Sequence, residues 1–245
     1  MAQQLKDQPR SHFLPPGVVF LVAMLKYLTA TVQEGEPQNY MFGEMRAALG
    51  IDKSTDILDH IYALPASQQD AAFESVRAIE RRAMASQKPQ HGLVELMDYL
   101  DGRQVPKGIC TRNFDTPVNH LLTRFLAGHR FHPIVTRDFR PPKPDPAGIL
   151  HIARAWGLGD GGAAGLIMVG DSVDDMTAGH RAGAATVLLV NEVNAHLAAH
   201  EHTDLCVSRL DELVEVLENG FVGQIGQGDE EPDTRAQAEA ALKRA

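Results

Sequence analysis

A chain of 245 residues, with an apolar share of 44% and a charged share of 22%, can bury one sizeable core or a core plus a small accessory domain. Its net charge of -9 and the lack of any Lys/Arg block argue against a nucleic-acid partner, because phosphate backbones need clustered cations. The two cysteines, Cys110 and Cys206, sit in apolar segments and read as reduced, buried thiols of a reducing, cytoplasmic compartment rather than as a disulfide framework.

Residues 1–14 are polar and are expected to form a flexible N-terminus. Gly17 to Phe20 (GVVF) reads as a buried β-strand, and the apolar run from Val18 to Val32 calls for a membrane test. A spanning helix needs about twenty apolar residues. This run is shorter, is broken by Lys26, Thr29 and Thr31, and is separated from Lys6 and Arg10 by Pro15-Pro16-Gly17. No A-x-A cleavage pattern follows it. The reading is therefore a soluble segment, with a membrane-surface anchor as the alternative.

From Pro37 to about Gln87 the pattern is helical, without a strand signal. Tyr40, Met41, Met45 and Leu49 fall near helical spacing, and Gly50 is a plausible stop. STDILDHIYAL opens on a Ser/Thr capping signal, and Pro65 and Ser67 lead into a longer helix. From His91 the texture changes to short apolar strands alternating with helices. The strands are KGIC, PIVT, GLIMVG, TVLLV and DLCVS. Such alternation predicts an α/β fold: a Rossmann-like three-layer core with a parallel sheet covered on both faces, carrying a small all-helical cap. The expected division is a core of 15–32 and 91–220, a cap of 37–88, and a disordered tail of 221–245.

In open parallel sheets ligands bind where the strands end. After GLIMVG come Asp171 and, four residues on, Asp175, a close acidic pair suited to a hard cation such as Mg²⁺. Alone, this pair could equally serve a helix N-terminus. After KGIC come Thr111, Arg112 and Asn113, a hydroxyl and backbone N–H groups able to hold a phosphate, or simply a helix cap. After PIVT come Arg137 and Asp138, then RPPKPDP, where prolines on both sides of Lys143 suggest an extended, stiff loop presenting a fixed ammonium.

The order Thr, Lys, then paired Asp, each directly after a strand, resembles the haloacid dehalogenase-like hydrolase superfamily, in particular its phosphoglycolate phosphatase-like branch with a small helical cap. ICTRN is similar to the second motif of that family, RPPKPDP to its lysine motif and IMVGDSVDDMTAGHRAGA to its metal motif. The resemblance implies hydrolysis of small phosphate monoesters through an aspartyl-phosphate, with a phosphorylated metabolite as partner. Thr111 would bind the phosphoryl group with Asn113 beside it. Lys143 would act with Thr111 in catalysis by stabilising negative charge. Asp171 would ligate Mg²⁺, and Asp175 would be a further ligand or its support.

The first motif of that family is a strand followed by D-x-D-G-T. Here GVVF is followed by Leu21, Val22, Ala23, Met24 and Leu25, none of which can attack phosphorus or move a proton. Asp52, Asp56 and Asp59 fall in an expected cap helix, and Glu34 or Glu36 would have to loop back. Three readings follow: an inactive relative of a phosphatase, a non-catalytic phosphate- or metal-binding regulator, or a chain in which residues 21–35 replace the motif through alternative splicing or a retained intron.

Overall fold

The computed structural model describes residues 20–23, 29–31, 39–85, 87–158 and 163–220. The expected flexible N-terminus and disordered tail, and the stretch carrying Glu34 and Glu36, lie outside these. The chain divides into two compact units, Met1–Leu28 with Gln90–Ala245, and Thr29–Pro89.

The larger unit is built on a parallel sheet of six strands: β1 (Phe20–Ala23), β4 (Lys107–Cys110), β5 (Ile134–Val135), β6 (Leu166–Gly170), β7 (Ala185–Leu189) and β8 (Leu205–Val207). Their order across the sheet is β5-β4-β1-β6-β7-β8, and every neighbouring pair runs parallel. β1 thus lies between the two strands whose ends carry ICTRN and GDSVDD.

Helices cover both faces because alternate residues of each strand point to opposite sides. Ile167 and Val169 of β6 join a core cluster with Leu96, Leu100, Leu121 and Leu213. These come from α4 (Leu93–Gly102), α5 (Asp115–Arg124) and α8 (Glu212–Asn219). Leu166 and Met168, the intervening residues, join Ile149, Ile152, Ala178 and Ala182 instead. Those lie on α6 (Ala147–Ala155) and α7 (Val173–Ala182). This is the three-layer α/β arrangement that the strand–helix alternation predicts.

The smaller unit contains α1 (Asn39–Leu49), α2 (Ile57–Ala63) and α3 (Ala66–Ala85). Met41, Met45, Ile57, Leu58, Ile61, Ala72, Val76 and Ile79 are buried in it. Gly50 follows α1 with φ +67°, the left-handed conformation that stops a helix. The cap of α2 is Asp56, not Ser54 or Thr55. Its carboxylate accepts from the backbone N–H of Leu58 at 2.8 Å and of Asp59 at 3.1 Å. Ser54 and Thr55 are already engaged by Asp52, which accepts both of their hydroxyls.

Beside these helices stands a two-stranded antiparallel ribbon, β2 (Thr29–Thr31) with β3 (Gln87–Pro89). Thr-Ala-Thr against Gln-Lys-Pro has no apolar alternation, so the sequence gives no strand signal there. Pairing with β3 is what assigns Thr29–Thr31 to this unit rather than to the sheet. Among the described residues no helix is long and apolar enough to cross a membrane.

Of the expected GVVF strand, Gly17, Val18 and Val19 lie outside the described residues. β1 is Phe20–Ala23, with Leu21 level with Lys107 and Ala23 level with Ile109 and Val169. Leu21 and Ala23 are therefore inside the strand rather than beyond it. The apolar run continues past Phe20 without a polar residue to mark an end, so periodicity could not locate the boundary.

Candidate functional site

The site is assembled at the carboxyl ends of β4, β5 and β6. Thr111 directly follows β4 and is 4% exposed. Its backbone N–H donates to the Val135 carbonyl at 2.8 Å, continuing the β4–β5 ladder by one residue. Its hydroxyl oxygen accepts from the Asn113 N–H at 3.1 Å. A hydroxyl that accepts in this way keeps its own proton for donation elsewhere. Two of the residues expected to hold a phosphate are thus joined in one small turn.

Lys143 reaches the same place from the loop before α6. The loop is not extended at the lysine: Lys143 lies in a turn closed by the Asp145 N–H on the Pro142 carbonyl at 3.0 Å. The flanking prolines supply no N–H to compete with this bond. The Asp145 carboxylate then accepts from the Ala147 N–H at 2.9 Å, setting the start of α6. The Lys143 ammonium donates to the Cys110 carbonyl at 2.7 Å and pairs with Asp175 Oδ1 at 2.9 Å. Both side chains of that pair are almost fully buried, at 2% and 1% exposure. Such a pair leaves water only because each charge is met by partners of good geometry.

Asp175 is held on its other oxygen too. Oδ2 accepts from the Ser172 hydroxyl at 2.6 Å, the Ser172 N–H at 3.1 Å and the Asp171 N–H at 3.3 Å. Ser172 and Asp175 form the capping box that starts α7. Asp175 can sit this close because residue 170 is glycine: a Cβ there would come within 2.4 Å of the Asp175 Cβ. Asp171, 6% exposed, stands at the end of β6 beside this arrangement. The sequence-predicted residues Thr111, Asn113, Lys143, Asp171 and Asp175 are therefore brought together, with Asp175 serving as the brace between Lys143 and the start of α7.

Three further residues shape the site, and the sequence reading gave them no role. Arg112 pairs with Asp174 at 2.8 Å, linking the loop after β4 to α7, with both side chains about one-third exposed. Arg137, after β5, donates from Nε to the Arg112 carbonyl at 2.9 Å and lies over the Phe114 ring, 3.6 Å from its centroid. Asn194 follows β7, and its amide donates to the carbonyls of Asp171 at 2.9 Å and Leu189 at 3.0 Å. The signal that could have given Arg137 a role is the one that found Thr111, a polar residue just beyond a strand; Asn194, well past the end of β7, carries no such signal.

Cys110 cannot replace a missing carboxylate. Burial pushes its thiol up, with the Lys143 ammonium opposing this only in part. Its Sγ packs toward α6, where a Cβ on Gly148 would be 2.8 Å away. Burial likewise pushes the Cys206 thiol up to about 12, and both cysteines are unbridged. Both remain protonated at neutral pH, and a thiol is a weak nucleophile in that form.

A family model described as haloacid dehalogenase-like hydrolase matches residues 21–189. An uncharacterized hydrolase of Saccharomyces cerevisiae is 42% identical over 206 residues, spanning 80% of this chain and 93% of that protein. A haloacid dehalogenase-like hydrolase domain-containing protein of Arabidopsis thaliana is 36% identical over 135 residues, 55% of this chain and 53% of its own. Among solved structures, a hydrolase from Pseudomonas syringae superposes with a TM-score of 0.64 at 21% identity, over 83% of this chain and 99% of that one. A protein from Lactobacillus plantarum, provisionally described as a phosphoglycolate phosphatase, gives 0.63 at 16% identity, over 81% and 99%. At these identities the structural likeness concerns the fold alone.

Proposed function

Because the chain belongs to the haloacid dehalogenase-like hydrolase family, we propose that its larger unit is a phosphatase scaffold that binds small phosphate monoesters but lacks the carboxylate needed to cleave them. The observation that carries this reading is the convergence of Thr111, Lys143, Asp171 and Asp175 on the ends of β4 and β6, the strands on either side of β1. The second half rests on the sequence. Between Asp7 and Glu34 there is no aspartate or glutamate, so no register of β1 puts a carboxylate at its end. Covalent transfer of a phosphoryl group needs a nucleophile there. The described acids Asp52, Asp56 and Asp59 belong to the other unit, where Asp52 and Asp56 are engaged in turn and cap bonds.

Each residue has a distinct part in this reading. The Thr111 hydroxyl and the backbone N–H groups of its turn would donate to phosphoryl oxygens. The Lys143 ammonium would offset their charge from a fixed place, because Asp175 and the Cys110 carbonyl prevent it from swinging away. Asp171 fits a hard divalent cation as an oxygen ligand. Mg²⁺ is commonly held by one or two carboxylates together with waters and substrate phosphate. When bound, Mg²⁺ would supply charge neutralisation at the phosphate. Among the described residues no group of three or more His, Cys, Asp or Glu could hold a metal. The smaller, mainly helical unit would act as the cap that selects the substrate.

Two measurements on the full chain test this. Hydrolysis of p-nitrophenyl phosphate with Mg²⁺ is expected to stay at the level of the Asp171→Asn variant. A Mg²⁺-dependent rate that this substitution abolishes would overturn the claim of inactivity. Calorimetry with orthophosphate is expected to show binding that Thr111→Val weakens. No heat of binding would remove the phosphate-site reading itself.

A further inference from the structure

We propose that Arg137 is a positioning residue that fixes the Thr111–Phe114 turn in its anion-binding form. This rests on the phosphate-site reading above. Arg137 comes from the loop after β5, ahead of the RPPKPDP stretch that carries Lys143, and it is 8% exposed. It grips three consecutive residues of the neighbouring turn. Its backbone N–H donates to the Asn113 carbonyl at 3.0 Å. Its Nε donates to the Arg112 carbonyl at 2.9 Å. Its guanidinium carbon lies over the Phe114 ring, 3.6 Å from the centroid.

These contacts act on the turn's backbone. With the carbonyls of Arg112 and Asn113 both drawn toward Arg137, the peptide units on either side of Asn113 have fixed orientations. The Asn113 N–H is thereby aimed at the Thr111 hydroxyl oxygen, 3.1 Å away. That bond in turn leaves the Thr111 proton to donate to a ligand. The Val135 carbonyl, two residues before Arg137, holds the Thr111 N–H at 2.8 Å. One short segment, 135–137, therefore fixes the turn at both ends. The same grip on the Arg112 carbonyl sets where the Arg112 side chain departs toward Asp174.

Arginine is specific for this task. A guanidinium can donate from its edge to a carbonyl while its face lies on an aromatic ring. An ammonium offers neither a flat face nor a fixed donor direction. Charge alone is therefore not what the position requires, which separates a positioning role from general attraction of anions.

The experiment measures orthophosphate affinity of the full chain by calorimetry for the wild type, Arg137→Lys, Arg137→Met and Phe114→Leu, each also combined with Thr111→Val. Arg137→Lys and Arg137→Met are both expected to weaken binding about tenfold, the scale of a slightly misplaced contact. In the Thr111→Val background each should weaken it by clearly less, because part of the effect runs through that hydroxyl. Phe114→Leu removes only the ring under the guanidinium. It is expected to give a smaller loss with the same dependence on Thr111, and it serves if the Arg137 variants do not fold. Full affinity in Arg137→Lys would show that charge suffices and would overturn the proposal. So would losses that simply add to that of Thr111→Val. A wild-type chain that binds no orthophosphate removes the site reading and this inference together. Wild-type binding that the Arg137 and Phe114 changes leave untouched removes this inference alone.

Discussion

The ends of β4 and β6 and the strand between them are built to different plans. After β4 and β6 the chain turns at once into buried or half-buried polar groups that are joined to one another and to Lys143: Thr111 to Asn113, Asp175 to Ser172 and to Lys143. β1, hydrogen-bonded to both, is Phe-Leu-Val-Ala and is followed by further apolar residues. The difference teaches that, on the reading proposed above, the groups that would hold a phosphoryl are fixed by one another rather than by β1. The Lys143–Asp175 pair and the α7 capping box satisfy each other. Their further bonds come from the ends of β4 and β6, at Cys110 and Asp171. A polar corner of this kind holds its own shape, because removing any of its members costs stability.

That independence can be broken most severely at Lys143. Lys143→Met leaves Asp175 buried without its cation. Removing one partner of a buried pair costs about 3–5 kcal/mol. The lower end is expected here, because three donors from Ser172 and Asp171 still reach Asp175 Oδ2. Urea unfolding measures it. A loss below about 1 kcal/mol would mean that Asp175 accepts water or a proton cheaply. The corner would then not be the self-supporting unit described.

Gly170→Ala sharpens the same comparison with a milder change. The added methyl would lie 2.4 Å from the Asp175 Cβ, inside any tolerated contact, so α7 or the end of β6 must shift. Overpacking of this kind costs about 1–3 kcal/mol. Lys143 would lose part of its pairing with Asp175 at the same time. Thermal unfolding gives the loss. An unchanged midpoint would show that the end of β6 yields freely, as a structurally idle strand end would.

How much of this was legible in the sequence also divides along these lines. β4, β6 and β7 could be read because each is a short apolar run with a polar residue at its end, and Thr111 and Asp171 are those residues. The carboxyl end of β1 could not be read, because its apolar run does not stop at Phe20. β2 and β3 were invisible because Thr-Ala-Thr and Gln-Lys-Pro become strands only by pairing with each other. The lysine loop was recognised, but its shape was not. Prolines imply stiffness, whereas the turn depends on the Asp145 N–H finding the Pro142 carbonyl. Lys107 shows a further limit. It is a charged residue inside a buried strand, tolerated because its ammonium pairs with Asp101 on α4, and no local pattern announces such a contact.

The smallest expected effect lies at the mouth of the same corner. Arg112 and Asp174 join the turn after β4 to α7, as Lys143 and Asp175 join the loop before α6 to it, but the Arg112 and Asp174 side chains are about one-third exposed. Water already solvates each charge, so forming the pair gains little and holding two side chains still costs entropy. Pairs of this kind contribute about 0–1 kcal/mol. Arg112→Gln, Asp174→Asn and the double variant should give a coupling in that range, and it should shrink as salt rises through the screening length. A coupling of several kcal/mol that salt does not touch would mean that the mouth is as dry as the floor. The contrast between a buried brace and an exposed link would then be lost.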